Sequence, residues 1–311
     1  MNYGLIKGLS ITALAAAVAA CGGSGSSDSD ATGTASFDVT DAPTAQFTEV
    51  VVTFTGLSVK PADGEAIEFT FDEAKTLDLL TLQGGESAPL LEDQEFPAGE
   101  YEWIRLTLNV DNSYVSEVDG SEKTLFIPSG AQTGLKLVSG FTIAQGGDNN
   151  FTIDFDVRKS IVNPQGGQAD YYLKPALRLI DNLEVGSITG QVDFSAIQQT
   201  RGTDDTDDSK LDCAYDGSAY IYQGADVEPT DLNINEEGGP LMVVPVTANP
   251  DDGLYSYTAA FLTAGDYTVS YSCQLDDNEL DDELEFDGTQ NVTVEAGVET
   301  EADTIPLVQF N

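Results

Sequence analysis

Histidine is absent from the 311 residues. That excludes Ser-His-Asp and Cys-His nucleophilic catalysis and His-ligated zinc or haem. Basic residues are scarce: 12 Lys and Arg stand against 54 Asp and Glu, a formal net charge of -42. A surface of that sign repels nucleic acid and anionic lipid, so neither is expected as a partner. It attracts cations, although its ordinary use is solvation and colloidal stability. The chain has three cysteines and one tryptophan. No stretch carries the period of a long amphipathic helix, and the one sustained apolar run, Leu9 to Ala20, lies at the N-terminus.

That run follows Lys7, contains no acidic residue and ends in small side chains, the pattern of a secretory signal peptide over residues 1–20. It is shorter and richer in Ala than a membrane span of about 20 apolar residues. Val18-Ala19-Ala20-Cys21 resembles a bacterial lipobox. The resemblance implies cleavage before Cys21 and a diacylglyceryl anchor on its thiol. Gly22 to Asp30 reads as a flexible tether, which takes residues 21–33 together as an anchor and linker. Gly22, rather than Asp, after the cysteine points to the outer membrane, facing either the periplasm or the exterior. Lipidation of Cys21 leaves Cys213 and Cys273. An even pair in an exported chain suggests one disulfide, contributing roughly 4 kcal/mol through loop closure. Two buried free thiols are the alternative.

The remaining chain alternates apolar and polar residues at period two between Gly, Pro, Asn and Asp clusters, the pattern of short strands in a sandwich or barrel. Expected strands include Val50 to Val59, Tyr101 to Val110, Phe151 to Val157 and Tyr267 to Cys273. One or two helical turns are expected near Leu77 to Leu82, ended by Gly84-Gly85. Net charge shifts from -18 over residues 21–185 to -25 over the shorter 186–311, which supports two domains parted at about Asn182 to Gly186. The fold class expected is therefore all-β, with two sandwich-like domains at 34–182 and 186–311. Pro97-Ala-Gly-Glu-Tyr101 and Thr263-Ala-Gly-Asp-Tyr267 echo one another, each leading into an alternating strand through a Gly turn.

Thr40-Asp41-Ala42-Pro43, Leu77-Asp78-Leu79-Leu80, Pro97-Ala98-Gly99 with Tyr101 and Arg105-Leu106, and Ile127-Pro128-Ser129-Gly130 occur in that order. Gly134-Leu135-Lys136, Asp154-Phe155-Asp156 and Leu173-Lys174-Pro175 with Arg178 continue it. Over about Thr34 to Asp181 this series resembles the domain of unknown function 4382 family of bacterial and archaeal lipoproteins. The resemblance implies an exported β-rich domain and carries no active site. Gly186-Ser-Ile-Thr-Gly-Gln-Val192 and Leu262-Thr-Ala-Gly-Asp-Tyr-Thr-Val269 resemble strands of a transthyretin-like or carboxypeptidase-regulatory-like sandwich, grouped with carbohydrate-binding-like folds. The Asp-rich insertion 204–212 departs from that pattern, and such a fold does not by itself imply sugar binding.

Three groups of residues are candidate sites. Asp154 and Asp156 with Arg105, Lys174 and Arg178 are expected on outward faces, either as cross-strand ion pairs worth about 0.2 to 1 kcal/mol each or as a polar ligand groove. Asp204, Asp205, Asp207 and Asp208, with Asp276, Asp277 and Glu279, offer oxygen ligands suited to Ca²⁺, although neither loop has EF-hand spacing. Tyr101 with Trp103, Tyr220 with Tyr222, and Tyr255 with Tyr257 are candidate glycan platforms, the alternative being that they fill cores. With no accompanying nucleophile, cofactor loop or metal set, the expected function is a non-enzymatic surface lipoprotein. It would bind or support, with a glycan, Ca²⁺ or a surface protein as partner. A hydrolase acting through carboxylates is the alternative.

Overall fold

The structure is a computed structural model that describes residues 31–42, 47–127, 134–163, 170–174, 176–201, 217–233, 235, 238–248, 255–274, 276–277 and 280–306. The first core is built from β1 (Thr32–Ala42), β2 (Phe47–Pro61), β3 (Ile67–Asp78), β4 (Ala88–Pro97), β5 (Gly99–Leu108), β6 (Tyr114–Glu117) and β7 (Glu122–Phe126). To these are added β8 (Leu135–Leu137), β9 (Phe141–Ile143), β10 (Asp148–Asp156), β11 (Ile161–Val162), β12 (Tyr171–Leu173) and β13 (Leu177–Asp181). One sheet has the order β13-β10-β1-β4; the facing sheet runs β11-β12-β7-β6-β2-β5-β8, with β3 beside β2 and β9 beside β5.

Alternation decides what lies between them. Phe37 and Val39 of β1 and Phe151, Ile153 and Phe155 of β10 meet Val50, Val52, Phe54 and Leu57 of β2 and Ile104 and Leu106 of β5, all buried. Phe37 stacks on Phe151 at 5.4 Å and meets Phe96 and Phe141 edge-on. The chain between Leu77 and Leu82 forms a short 3-10 turn, Leu79–Thr81, capped by Asp78, whose carboxylate accepts from the Leu80 N–H.

The second core begins at Ile188 and holds Val192, Ile197, Ile221, Val244, Tyr257, Leu262, Tyr267, Val269, Val294 and Ile305. Its strands are β14 (Val185–Val192), β15 (Ser218–Gln223), β16 (Met242–Pro245), β17 (Thr247–Ala248), β18 (Tyr255–Thr263), β19 (Gly265–Ser272), β20 (Asp287–Val294) and β21 (Glu299–Glu301). They form two four-stranded sheets, β17-β18-β14-β21 and β16-β15-β19-β20. The chain is all-β and sandwich-like, and both cores lie within one compact unit that begins at Ala31. The expected boundary at 182–186 spans the turn after β13 and the first two residues of β14. A helix, Phe194–Arg201, was not foreseen. Asp193 starts it by accepting from the Ala196 N–H and the Ser195 hydroxyl.

The echoed pentapeptides form one device used twice. Tyr101, buried in the first core, donates its hydroxyl to the Pro97 carbonyl at 2.7 Å. Tyr267, buried in the second, donates to the Thr263 carbonyl at the same distance. Each ties the incoming chain to the strand that leaves the turn, as a tyrosine corner does in other sandwiches. Gly99 sits at φ +143°, which a side chain would resist.

Candidate functional site

Strand β10 has both faces covered. Phe151, Ile153 and Phe155 point into the first core, whereas Thr152 and Asp154 alternate with them and are buried as well. The reason is what lies beyond: Asp154 and Arg178, with Thr40, Asp41, Gly84 and Gly85, wall a cavity of about 20 Å³ whose other wall is Met242, Val244, Thr258, Ala260 and Phe261. The outer face of the first sheet therefore meets β16 and β18 of the second core. A space of that size suits a single water.

Register places the charges at this seam. Asp154 lies opposite Arg178 in the antiparallel pair of β10 and β13. Arg178 donates through Nη2 at 2.9 Å and Nε at 3.3 Å to one oxygen of Asp154. Thr40 Oγ1 donates to the Leu82 and Glu86 carbonyls, pinning β1 to the turn that carries Gly84 and Gly85. Asp41 accepts from the Val157 N–H, holding the end of β10.

The five residues expected on one polar face are divided. Asp154 and Arg178 are the ion pair at the seam. Asp156 does not join them, because β10 ends there and Val157–Ser160 turns helical; Asp156 caps that turn and pairs with Lys159 at 3.3 Å. Lys174 is exposed beyond β12, and its N–H donates to the Ser160 carbonyl. Arg105 is in the other sheet, on β5, facing away from the core. Of the five, Asp154 and Arg178 form one half-buried cross-strand pair, and Asp156, Lys174 and Arg105 stand at three separate places.

The outer face of β5 carries a different cluster. Trp103, partly buried, has the Arg105 guanidinium 4.8 Å and the Lys136 ammonium 4.7 Å from its ring centre. Arg105 and Lys136 are direct cross-strand partners on β5 and β8, and Lys60 on β2 is the partner of Trp103. Tyr101 was expected on this face. A register shift between Lys60 and Pro61 turns it into the core instead, since proline supplies no N–H to the ladder. The signal for this cluster in the sequence was Trp103 two residues before Arg105; Lys136 came from a strand 31 positions on, which no local pattern joins to it.

The other aromatic platforms are core residues: Tyr220, Tyr222 and Tyr257 are each at most 3% exposed. Tyr220 donates to Asp276 at 2.8 Å and Tyr222 to the Thr230 carbonyl at 2.5 Å. Tyr255 is partly buried and meets Phe194 edge-on.

For the calcium loops, Asp204, Asp205, Asp207, Asp208 and Glu279 lie outside the described residues, as do Cys21, Cys213 and residues 1–20. Asp276 accepts from Tyr220 and from the Leu232 N–H. Burial raises its pKa, those two hydrogen bonds oppose the rise, and the charges of Asp231 and Asp282 add to it. Asp277 is exposed, and its N–H donates to Asp282. Among the described residues no group of three or more acidic or sulfur ligands is gathered for a metal. Cys273 is fully buried at the end of β19.

The fold and the seam define an all-β chain of sandwich-like domains, and no helix among the described residues is long and apolar enough to cross a membrane. Residues 32–175 match the family model described as domain of unknown function (DUF4382). No curated protein matches the chain. Among solved structures, a streptococcal ancillary pilin aligns over 89% of this chain at 12% identity and a TM-score of 0.17. The alignment covers 62% of the pilin, so this chain spans about three fifths of its length. A candidate adhesin from Bacteroides ovatus ATCC 8483 aligns over 88% of this chain and 89% of its own at 10% identity and a TM-score of 0.19.

Proposed function

We propose that the chain is a non-enzymatic exported lipoprotein, anchored through Cys21 to the outer membrane, whose two β-sandwich domains at 34–182 and 186–311 form a binding or supporting module. The observation that supports this reading is the use made of Asp154 and Asp156. These are the carboxylates that a hydrolase would need for acid and base chemistry. Asp154 is held by Arg178 at the seam between the cores, and Asp156 caps a helical turn and pairs with Lys159. Both serve the fold. The DUF4382 match adds the setting without adding a reaction.

The test is an Asp154→Asn, Asp156→Asn double variant of the full chain, compared with the parent in melting temperature and against ester, glycoside and peptide substrates. A lower melting temperature with no turnover in either protein is expected. Turnover by the parent that disappears in a folded variant would replace this reading with the hydrolase.

A further inference from the structure

We propose that the outer face of the large sheet around Trp103 binds carboxylate groups of an acidic polysaccharide, through Arg105 and Lys136. This inference deepens the proposed binding module and rests on that reading.

In a chain of net charge -42 a cation has an abundance of carboxylates to pair with. Arg178, Lys159, Lys123 and Lys60 each lie within 4.0 Å of one. Arg105 and Lys136 make no such pair among the described residues, and neither do Lys75 and Lys174; of these four, only Arg105 and Lys136 stand directly opposite each other on neighbouring strands. Like charges in that position repel and are destabilising. What offsets the repulsion is Trp103, whose electron-rich ring lies within 4.8 Å of both cationic groups.

The site is also shaped for Arg105. Gly134 lies against the β5 backbone at φ +67°, and a Cβ there would overlap the Leu106 carbonyl and stand 3.2 Å from Arg105 Cγ. Arg105 Nε is buried and has no hydrogen-bond partner. A guanidinium oriented by a ring and a glycine presents its donors as a fork, which matches a carboxylate. Lys136 is exposed beside it and supplies a second positive charge.

Charge complementarity selects the occupant. A second copy of this chain brings its own -42 and is repelled. A nucleic acid, with one charge per about 1.7 Å of duplex, meets the same repulsion along its length. A uronate polymer has one carboxylate per sugar, separated by neutral hydroxyl-bearing rings, so it can engage two cations without pressing dense charge against the acidic surround. The Trp103 ring already carries the two cations, so its part is to hold them in place. Sugar stacking is not required.

The experiment measures binding of polygalacturonate to the full chain at about 0.15 M salt, where the Debye length is ~8 Å. Fully methyl-esterified polygalacturonate is the neutral comparison. The parent should bind the acid and not the ester. Lys136→Gln, a change at an exposed position, should weaken binding about tenfold, and Arg105→Gln with Lys136→Gln should abolish it. Lys75→Gln with Lys123→Gln removes the same charge elsewhere and should leave binding unchanged, with the melting temperature of Lys136→Gln equal to the parent's.

Equal binding of acid and ester, equal loss in the two double variants, or no binding by the parent would each overturn the inference. Self-association of the parent that Lys136→Gln abolishes would also overturn it, with a second copy as the occupant. An inference lost in any of these ways, without turnover of any substrate, leaves the non-enzymatic reading standing.

Discussion

Arg178 and Asp154 face each other across β13 and β10, with two guanidinium nitrogens 2.9 and 3.3 Å from one carboxylate oxygen, where the two cores meet. The Asp154 side chain is 12% exposed and that of Arg178 38%, so one partner is buried more deeply than the other. Arg178→Met would remove the guanidinium that donates twice to this carboxylate. The expected loss is about 2 kcal/mol, between the worth of an exposed pair and that of a fully buried one. Chemical denaturation should show it, and Arg178→Met with Asp154→Leu should recover much of it. A loss undiminished in the double variant would remove the pair from the seam's stability.

The repeated corner gives a second expectation. Tyr101→Phe and Tyr267→Phe each remove one hydroxyl-to-carbonyl bond of 2.7 Å while keeping the buried ring. Each should cost about 1 kcal/mol. The two bonds serve separate cores, so the losses should add in the double variant to within about 0.5 kcal/mol.

Tyr257 predicts the opposite sign. Its hydroxyl is buried without a hydrogen-bond partner, and burial raises its pKa. Tyr257→Phe removes an unsatisfied polar group and should stabilise the chain by about 1 kcal/mol. The ring itself lies over Gly190, its cross-strand partner, where a Cβ would overlap both the hydroxyl and ring carbons. Gly190→Ala should therefore cost about 2 kcal/mol or more, and Tyr257→Phe should not rescue it.

Asp276 makes stability depend on pH in a direction unusual for a carboxylate. Its folded pKa lies above its ordinary value of 3.8, first through burial and then through Asp231 and Asp282, against the hydrogen bonds from Tyr220 and Leu232. Between those two values the folded chain holds more proton than the unfolded one, so this group's contribution falls as pH rises through that window. The penalty is complete only above the raised pKa and is absent well below pH 3.8. Asp276→Asn keeps an oxygen for Tyr220 and Leu232 and carries no charge. It should melt higher than the parent at pH 7 and at the same temperature well below pH 3.8. A difference independent of pH would show that charge is not the cause.

Anchoring and the disulfide are tested outside the described residues. In the native export route, Cys21→Ser should block lipidation and leave uncleaved precursor or soluble protein. Unchanged membrane partitioning would sink the anchor. Mass spectrometry of the exported chain should find Cys213 linked to Cys273; alkylation of both as free thiols would remove the bridge from the proposal.

Period-two alternation was enough to read the all-β class and the core-facing residues, because in a strand every second side chain must find apolar company or water. Phe151, Ile153 and Phe155 were legible in that way, and so were the two Gly-turn-Tyr echoes. What alternation cannot express is what lies against the other face. Asp154 looked like an outward residue, and it is buried because a second sandwich, distant in the chain, closes over its strand. Tyr101 looked like a neighbour of Trp103, and a register shift at Pro61 turned it inward. Lys136 became a partner of Arg105 only through pairing of β5 with β8. Composition and local pattern determined the strands and the His-dependent chemistry that is excluded. Tertiary structure decided which charges pair, because pairing depends on strand order and domain contact, which bring together residues that no local spacing connects.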